Sequence, residues 1–193
     1  MISNYSELQT AVAKWLHRKD LAAVIPDFIA LTEEKLNRYL RTKDNETTLS
    51  PTAIVNNRVT IPANTVAVKT LWLDGYEASP LKPQSLESVI SKGTEGLATV
   101  YAWQGSDFLF DGTGTVKGVL YRNIPPLATN STNWLLSAHP SVYLFGTLAE
   151  ANLYIKNGEE ATLWKARFDG LLDELNGNSQ RDTMNGPLVA RAR

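Results

Sequence analysis

Apolar residues recur every three or four positions at both ends of the chain and closer to every second position in between. Near the start, Tyr5, Leu8, Val12, Trp15 and Leu16 fall on one helical stripe, with Ser3 or Asn4 placed to cap it. Arg18 to Asp20 break the pattern. A second helix begins near Pro26, whose missing N–H costs nothing in a first helical turn. Ile25, Ile29, Thr32, Leu36 and Tyr39 make its inward face, and Glu33, Glu34, Lys35, Asn37 and Arg38 lie mostly on the other.

From Glu46 to about Arg122 the period shortens. Thr52 to Ile61 predicts a hairpin around Asn56-Asn57, because asparagine tolerates the positive φ of a two-residue turn. Thr65 to Leu73 reads as a strand, Asp74-Gly75 as a turn, and Tyr76 as the start of the returning strand. Pro80 to Pro83 is extended, and Ser85 to Ser91 a short helix ended by Gly93. Ala98–Trp103, Asp107–Phe110 and Thr115–Arg122 are three more strands. Such spacing predicts a small antiparallel sandwich or barrel.

Ile124-Pro125-Pro126-Leu127 is a rigid exit from the sheet. Asn133 to Ala138 is a short helical turn. Pro140 or Ser141 opens a long helix with Leu144, Phe145, Leu148, Ala151 and Ile155 inward, closed by a left-handed cap at Asn157-Gly158. Ala161, Trp164, Phe168, Leu171 and Leu175 define a last helix that Gly177 stops. The pattern thus predicts an α+β fold. Residues 1–45 and 124–177 form a four-helix-type bundle, 46–123 an inserted antiparallel β module, and 178–193 an extended tail with too little apolar surface to fold alone.

Composition narrows the chemistry. The chain has 193 residues and a net charge of −1, which argues against a DNA-coating protein. It has no cysteine, so a disulfide framework, a thiolate metal site and a cysteine nucleophile are excluded, and a reducing compartment fits. The amphipathic N-terminus lacks the apolar core of a signal peptide, and the longest aliphatic stretch, Leu21 to Ile25, falls far short of the about 20 residues that span a bilayer. The three glycosylation-like triplets at Asn4, Asn45 and Asn130 carry no weight without a secretory route.

Individual residues suggest little catalysis. His17 ends a helix and His139 precedes Pro140, and neither belongs to an H-E-x-x-H pattern. Ser137-Ala138-His139 lacks a nucleophile elbow. Asp111-Gly112-Thr113-Gly114 with Gly118 has the wrong spacing and flanking strands for a phosphate loop. Asp107 and Asp111 share a strand face, which admits a carboxylate pair, although two turn aspartates explain them better. Five tryptophans, Trp15, Trp72, Trp103, Trp134 and Trp164, are spread over every segment, as cores and interfaces require. A glycan-binding face using Trp72, Trp103 and Tyr101 is the main alternative reading.

The order of motifs is more specific than any one of them. IPDFIALTEEKLNRYLR is followed by RVTIPANTVAVKTLWLDG, PLKPQSLESV, YAWQGSDFLFDG and YRNIPPL, then by TNWLLSAHPSVYLFGTLAEANLYIKN and GPLVARAR. This order resembles the phage adaptor family, the head-to-tail connector proteins of short-tailed bacteriophages, related to the tubular tail proteins. The resemblance implies a structural protein without catalytic activity, metal or cofactor. It implies a homo-oligomeric ring, usually of twelve copies, below the portal protein and above a tail nozzle or tube protein. DNA would pass through the channel without specific binding, and no membrane is involved. The location implied is the head–tail junction of the virion, after assembly in the host cytoplasm. By the same resemblance Pro187, Leu188, Arg191 and Arg193 are the portal-contact candidates.

Overall fold

The computed structural model describes residues 2–18, 20–93 and 95–184. The described elements run, in chain order, α1 (Tyr5–Leu16), α2 (Ile25–Tyr39), β1 (Glu46–Ala53), β2 (Arg58–Thr60), β3 (Thr65–Leu73), β4 (Lys82–Pro83), α3 (Leu86–Ser91), β5 (Val100–Gln104), β6 (Asp107–Phe110), β7 (Thr115–Arg122), α4 (Trp134–Ala138), α5 (Pro140–Tyr154) and α6 (Gly158–Met184). A 3-10 turn covers Lys43–Asn45. The fold is mixed α+β, and the chain divides into two compact units, Met1–Asp44 with Ile124–Arg193, and Asn45–Asn123.

In the helical unit, local signals set the helix starts. The Asn4 side chain accepts the Glu7 N–H at 2.9 Å, and the Glu7 carboxylate accepts the Ser3 N–H at 2.8 Å, a reciprocal cap. Asn133 caps α4 in the same way, accepting the Leu136 N–H at 2.9 Å. Proline opens both α2 and α5. α5 touches α1, α2, α4 and α6, and its buried residues occupy most of its circumference. It is therefore hydrophobic nearly all round, as a central helix must be. Leu8 and Val12 of α1, Ile25, Ile29 and Leu36 of α2, and Phe168 and Leu172 of α6 pack around it. Gly146 of α5 lets the flanking helices close in: a Cβ there would lie 2.5 Å from Thr32 Cγ2 and 2.9 Å from Phe168 Cε2.

Four expectations for these helices change. Glu33 is buried, not solvated, and Tyr39 is 58% exposed, not inward. The left-handed residue closing α5 is Lys156 (φ 61°), while Gly158 begins α6. α6 does not stop at Gly177 but continues to Met184, so residues 178–184 of the expected extended tail are helical. The reason is tertiary. Asn176 Oδ1 accepts the Arg41 N–H at 2.8 Å, Asn176 Nδ2 donates to the Tyr39 carbonyl at 3.1 Å, and Ser179 Oγ accepts the Lys43 N–H at 2.9 Å. These bonds hold the helix on both sides of Gly177 and outweigh the local cost of glycine.

The second unit holds two sheets. One is three-stranded and antiparallel, order β1-β7-β3, and the other four-stranded, order β2-β6-β5-β4. Leu49, Leu71, Leu73, Val116 and Leu120 of the first sheet and Val59, Tyr101, Phe108 and Phe110 of the second share one core. On β5 and β6 the alternate residues Val100, Ala102 and Leu109 pack instead with Val89 of α3. The period of two thus buries both faces of this sheet. The Asn56-Asn57 turn forms, with φ 49° and 60°, and closes on a Val55–Arg58 bridge. Beyond it the strands part: β1 pairs with β7 and β2 with β6. The module is not wholly antiparallel, because β4 runs parallel to β5. No returning strand starts at Tyr76, which instead belongs to a turn whose N–H reaches the Leu73 carbonyl at 2.9 Å.

Candidate functional site

The most distinctive polar construction in the helical unit surrounds the Ile124-Pro125-Pro126-Leu127 segment. Its Ile124 and Leu127 side chains are buried in the helical core. A buried extended segment must satisfy its N–H groups, and two are simply absent at the prolines. The other two are met from α2: Asn37 Oδ1 accepts the Ile124 N–H at 2.7 Å, and Glu33 Oε1 accepts the Leu127 N–H at 2.8 Å. Glu33 and Asn37 are four apart, hence on one helix face. Asn133 Nδ2 donates to the Pro125 carbonyl at 2.8 Å and to the Tyr143 hydroxyl at 2.7 Å. The Tyr143 hydroxyl in turn donates to Glu33 at 3.5 Å, the outer limit of such a bond.

Burial pushes the Glu33 carboxyl above its ordinary value, and the bonds from Leu127 and Tyr143 only partly offset this. Burial likewise raises the Tyr143 phenol. A carboxylate with a raised folded pKa carries a penalty that is absent below its unfolded pKa and complete above its folded one. Glu33→Gln keeps an acceptor for Leu127 and removes the charge. It is expected to match or exceed the parent's stability at pH 7, and to lose that advantage as pH falls to about 4, where the parent's own carboxyl is protonated. Paired urea titrations across that range check this. Glu33→Ala, which orphans the buried Leu127 N–H, is expected to cost about 1–3 kcal/mol at either pH.

Besides a smaller groove of about 320 Å³ along α1, with Ser6, Glu7, Lys14 and Trp15 in its lining, two grooves open on the outside of this unit. One, of about 700 Å³, lies between α1 and the start of α2, lined by Thr10, Ala13, Lys14, His17, Ala22 and Ile25. The other, of about 400 Å³, lies between α2, α5 and α6, with Gly146 and Ala149 at its floor. Two ion pairs, Lys35–Glu150 and Lys165–Asp169, stand along it. The helical unit also carries an aromatic cluster that the sequence reading, which assigned the tryptophans to cores and interfaces, did not single out. Trp15 is 50% exposed and packs edge-on against Trp164 at 5.4 Å, with the Arg167 guanidinium 5.2 Å from the Trp164 ring. The only sequence signal for it is Trp15 standing three residues beyond Val12, at the edge of its stripe.

The other singled-out residues have structural places. His17 is the left-handed cap of α1 (φ 51°), and its N–H reaches the Lys14 carbonyl. His139 joins α4 to α5. Ser137 Oγ donates to the Asn133 carbonyl at 3.0 Å. The Asp111 carboxylate accepts the Thr99 N–H at 2.7 Å, the Val100 N–H at 3.0 Å and the Thr99 hydroxyl at 2.6 Å. Burial alone would raise this carboxyl, but those three donors hold it below its ordinary value. Asp111 is thus a strand staple, and Asp107 faces Arg58 at 3.7 Å. The 111–114 turn is stitched to residues 96–98, with the Thr113 N–H on the Gly96 carbonyl at 2.8 Å. Tyr101 is buried against Phe108 and Phe110, so it cannot join Trp103 and Trp72 in an open glycan platform. Trp134 packs against the helical core. Among the described residues, no group of three or more His, Asp and Glu is placed to hold a metal ion, and no helix is long and apolar enough to cross a membrane. Pro187, Leu188, Arg191 and Arg193 lie outside the described residues.

What the described residues assemble is packing, a proline strap and surface grooves. The chain matches the model of the SU10 adaptor protein family over residues 3–191 and belongs to that family of phage adaptors. It is thereby a bacteriophage structural component that joins other head and tail parts. A search of curated proteins finds no match.

Proposed function

We propose that this protein forms a homo-oligomeric ring below the portal, extends the DNA channel and docks the tail. The observation that supports it is family membership over nearly the whole chain. In this reading α1, α2, α5 and α6 act as a four-helix bundle in the ring wall, the segment 46–123 is an inserted module directed to the tail, and twelve copies close the ring. The near-neutral charge suits a channel that DNA must slide through, since clustered basic groups would hold phosphates. The docking tail begins after Met184, and Pro187, Leu188, Arg191 and Arg193 contact the portal.

The test is co-purification with the cognate portal protein, imaged by electron microscopy. The chain alone is expected to stay monomeric or weakly associated and to form rings on the portal. Truncation after Met184 keeps the Ser179 anchor, and is expected to leave the circular dichroism unchanged while abolishing portal binding. Absence of portal binding by the intact chain overturns the reading. Binding that survives the truncation moves the contact elsewhere.

A further inference from the structure

We propose that neighbouring copies meet head-to-tail, with the outer ridge of α6 of one copy seated in the groove between α1 and the start of α2 of the next. This rests on the ring reading above and adds the two faces that make it. Three observations on the helical unit carry it.

The first is charge. From Gly158 to Asn178, α6 carries five carboxylates, Glu159, Glu160, Asp169, Asp173 and Glu174, against Lys165 and Arg167. From Tyr5 to Asp20 the α1 segment carries Lys14, Arg18 and Lys19 against Glu7 and Asp20, with Arg18 paired to Asp20 at 2.6 Å. Lys14 and His17 stand at the rim of the α1–α2 groove. The two faces are therefore opposite in sign.

The second is shape. The groove has small walls, Thr10, Ala13 and Ala22, over the buried Ile25 side chain, and is the roomiest of the three described on this unit. It admits a narrow ridge.

The third is a narrow ridge with no internal reason to be narrow. On α6, the positions opposite the buried Phe168 are Leu163, Ala166, Gly170 and Glu174, all exposed. A mid-helix glycine costs about 1 kcal/mol relative to alanine. At Gly170 a Cβ would meet nothing within 4 Å, so the fold of this chain does not ask for it. A neighbouring backbone packed against the helix at that point does. Leu163, 44% exposed, then supplies the apolar anchor, and Asp173 and Glu174 face Lys14. Because the two faces differ, the contact is heterologous and repeats around a closed ring.

The absence of cysteine gives a clean test. Ala13→Cys and Gly170→Cys are made as separate full-length variants, mixed, assembled on the portal and oxidised. A disulfide-linked dimer is expected from the mixture and from neither variant alone. The double variant is expected to give a ladder of covalent multimers. In parallel, Lys14→Glu is expected to reduce ring assembly at least tenfold, and Asp173→Lys with Glu174→Lys in the same chain to restore it. Rings in the micrographs without a cross-link, or unaffected by Lys14→Glu, overturn this interface while leaving the ring reading standing. No rings from the parent chain overturn the ring reading itself.

Discussion

Tyr143→Ala is expected to lower the unfolding free energy by about 3–5 kcal/mol, the range for removing a large buried ring. Tyr143 is fully buried and among the largest such side chains in the protein. Its removal leaves a cavity beside α2. It also takes the hydroxyl from Asn133 Nδ2, whose other bond is to the Pro125 carbonyl, and from Glu33, which holds the Leu127 N–H. The proline strap therefore loses support from two sides. Tyr143→Phe separates the contributions: it keeps the volume and is expected to cost about 1–2 kcal/mol, the range for an unmade hydrogen bond to a buried group. Urea titration followed by tryptophan fluorescence measures both. Equal losses for the two substitutions would show that the polar network, not the packing, dominates.

Gly118→Ala is expected to cost about 3 kcal/mol, the upper part of the overpacking range. Gly118 sits at the centre of β7 and pairs with Leu49 of β1 and Leu71 of β3. A Cβ there would lie 2.5 Å from the Thr70 carbonyl oxygen and 2.4 Å from Leu71 Cδ2. Backbone cannot yield as a side-chain tip can, so the middle strand would have to shift against both neighbours. Gly170→Ala provides the contrast, since its Cβ enters open space and restores helix propensity. Calorimetry should show a lower melting temperature for the first and an equal or higher one for the second.

Local signals were readable where a few adjacent residues settle the matter. Asn4 before Tyr5, Pro26 in a first turn and Asn133 before Trp134 place helix starts through capping and proline geometry. Asn56-Asn57 sets a turn because both residues accept positive φ. Thr65–Leu73 was read with its observed bounds, being rich in β-branched residues and closed by Asp74-Gly75. Glu33 was misread because a helical wheel ranks a glutamate by polarity. Nothing near it in sequence shows that Leu127, ninety-four positions on, brings an N–H that needs an acceptor. Trp15 was misread for the converse reason: its ring is partly sheltered by Trp164 and Phe145, yet remains at the surface.

By itself the sequence determined the periodicities, the caps and turns, the exclusion of cysteine chemistry and, through the order of its motifs, the phage adaptor family. Each rests on neighbouring residues or on their order, which the chain carries before it folds. Only the tertiary structure decided where β1 and β2 part, that β4 runs parallel to β5, that Glu33 lies inside, and that α6 passes through Gly177 to Met184. Those outcomes depend on partners distant in sequence. A glycine ends a helix only when nothing outside the helix holds the next turn, and here Asn176 and Ser179, bonded to residues 39–43, hold it.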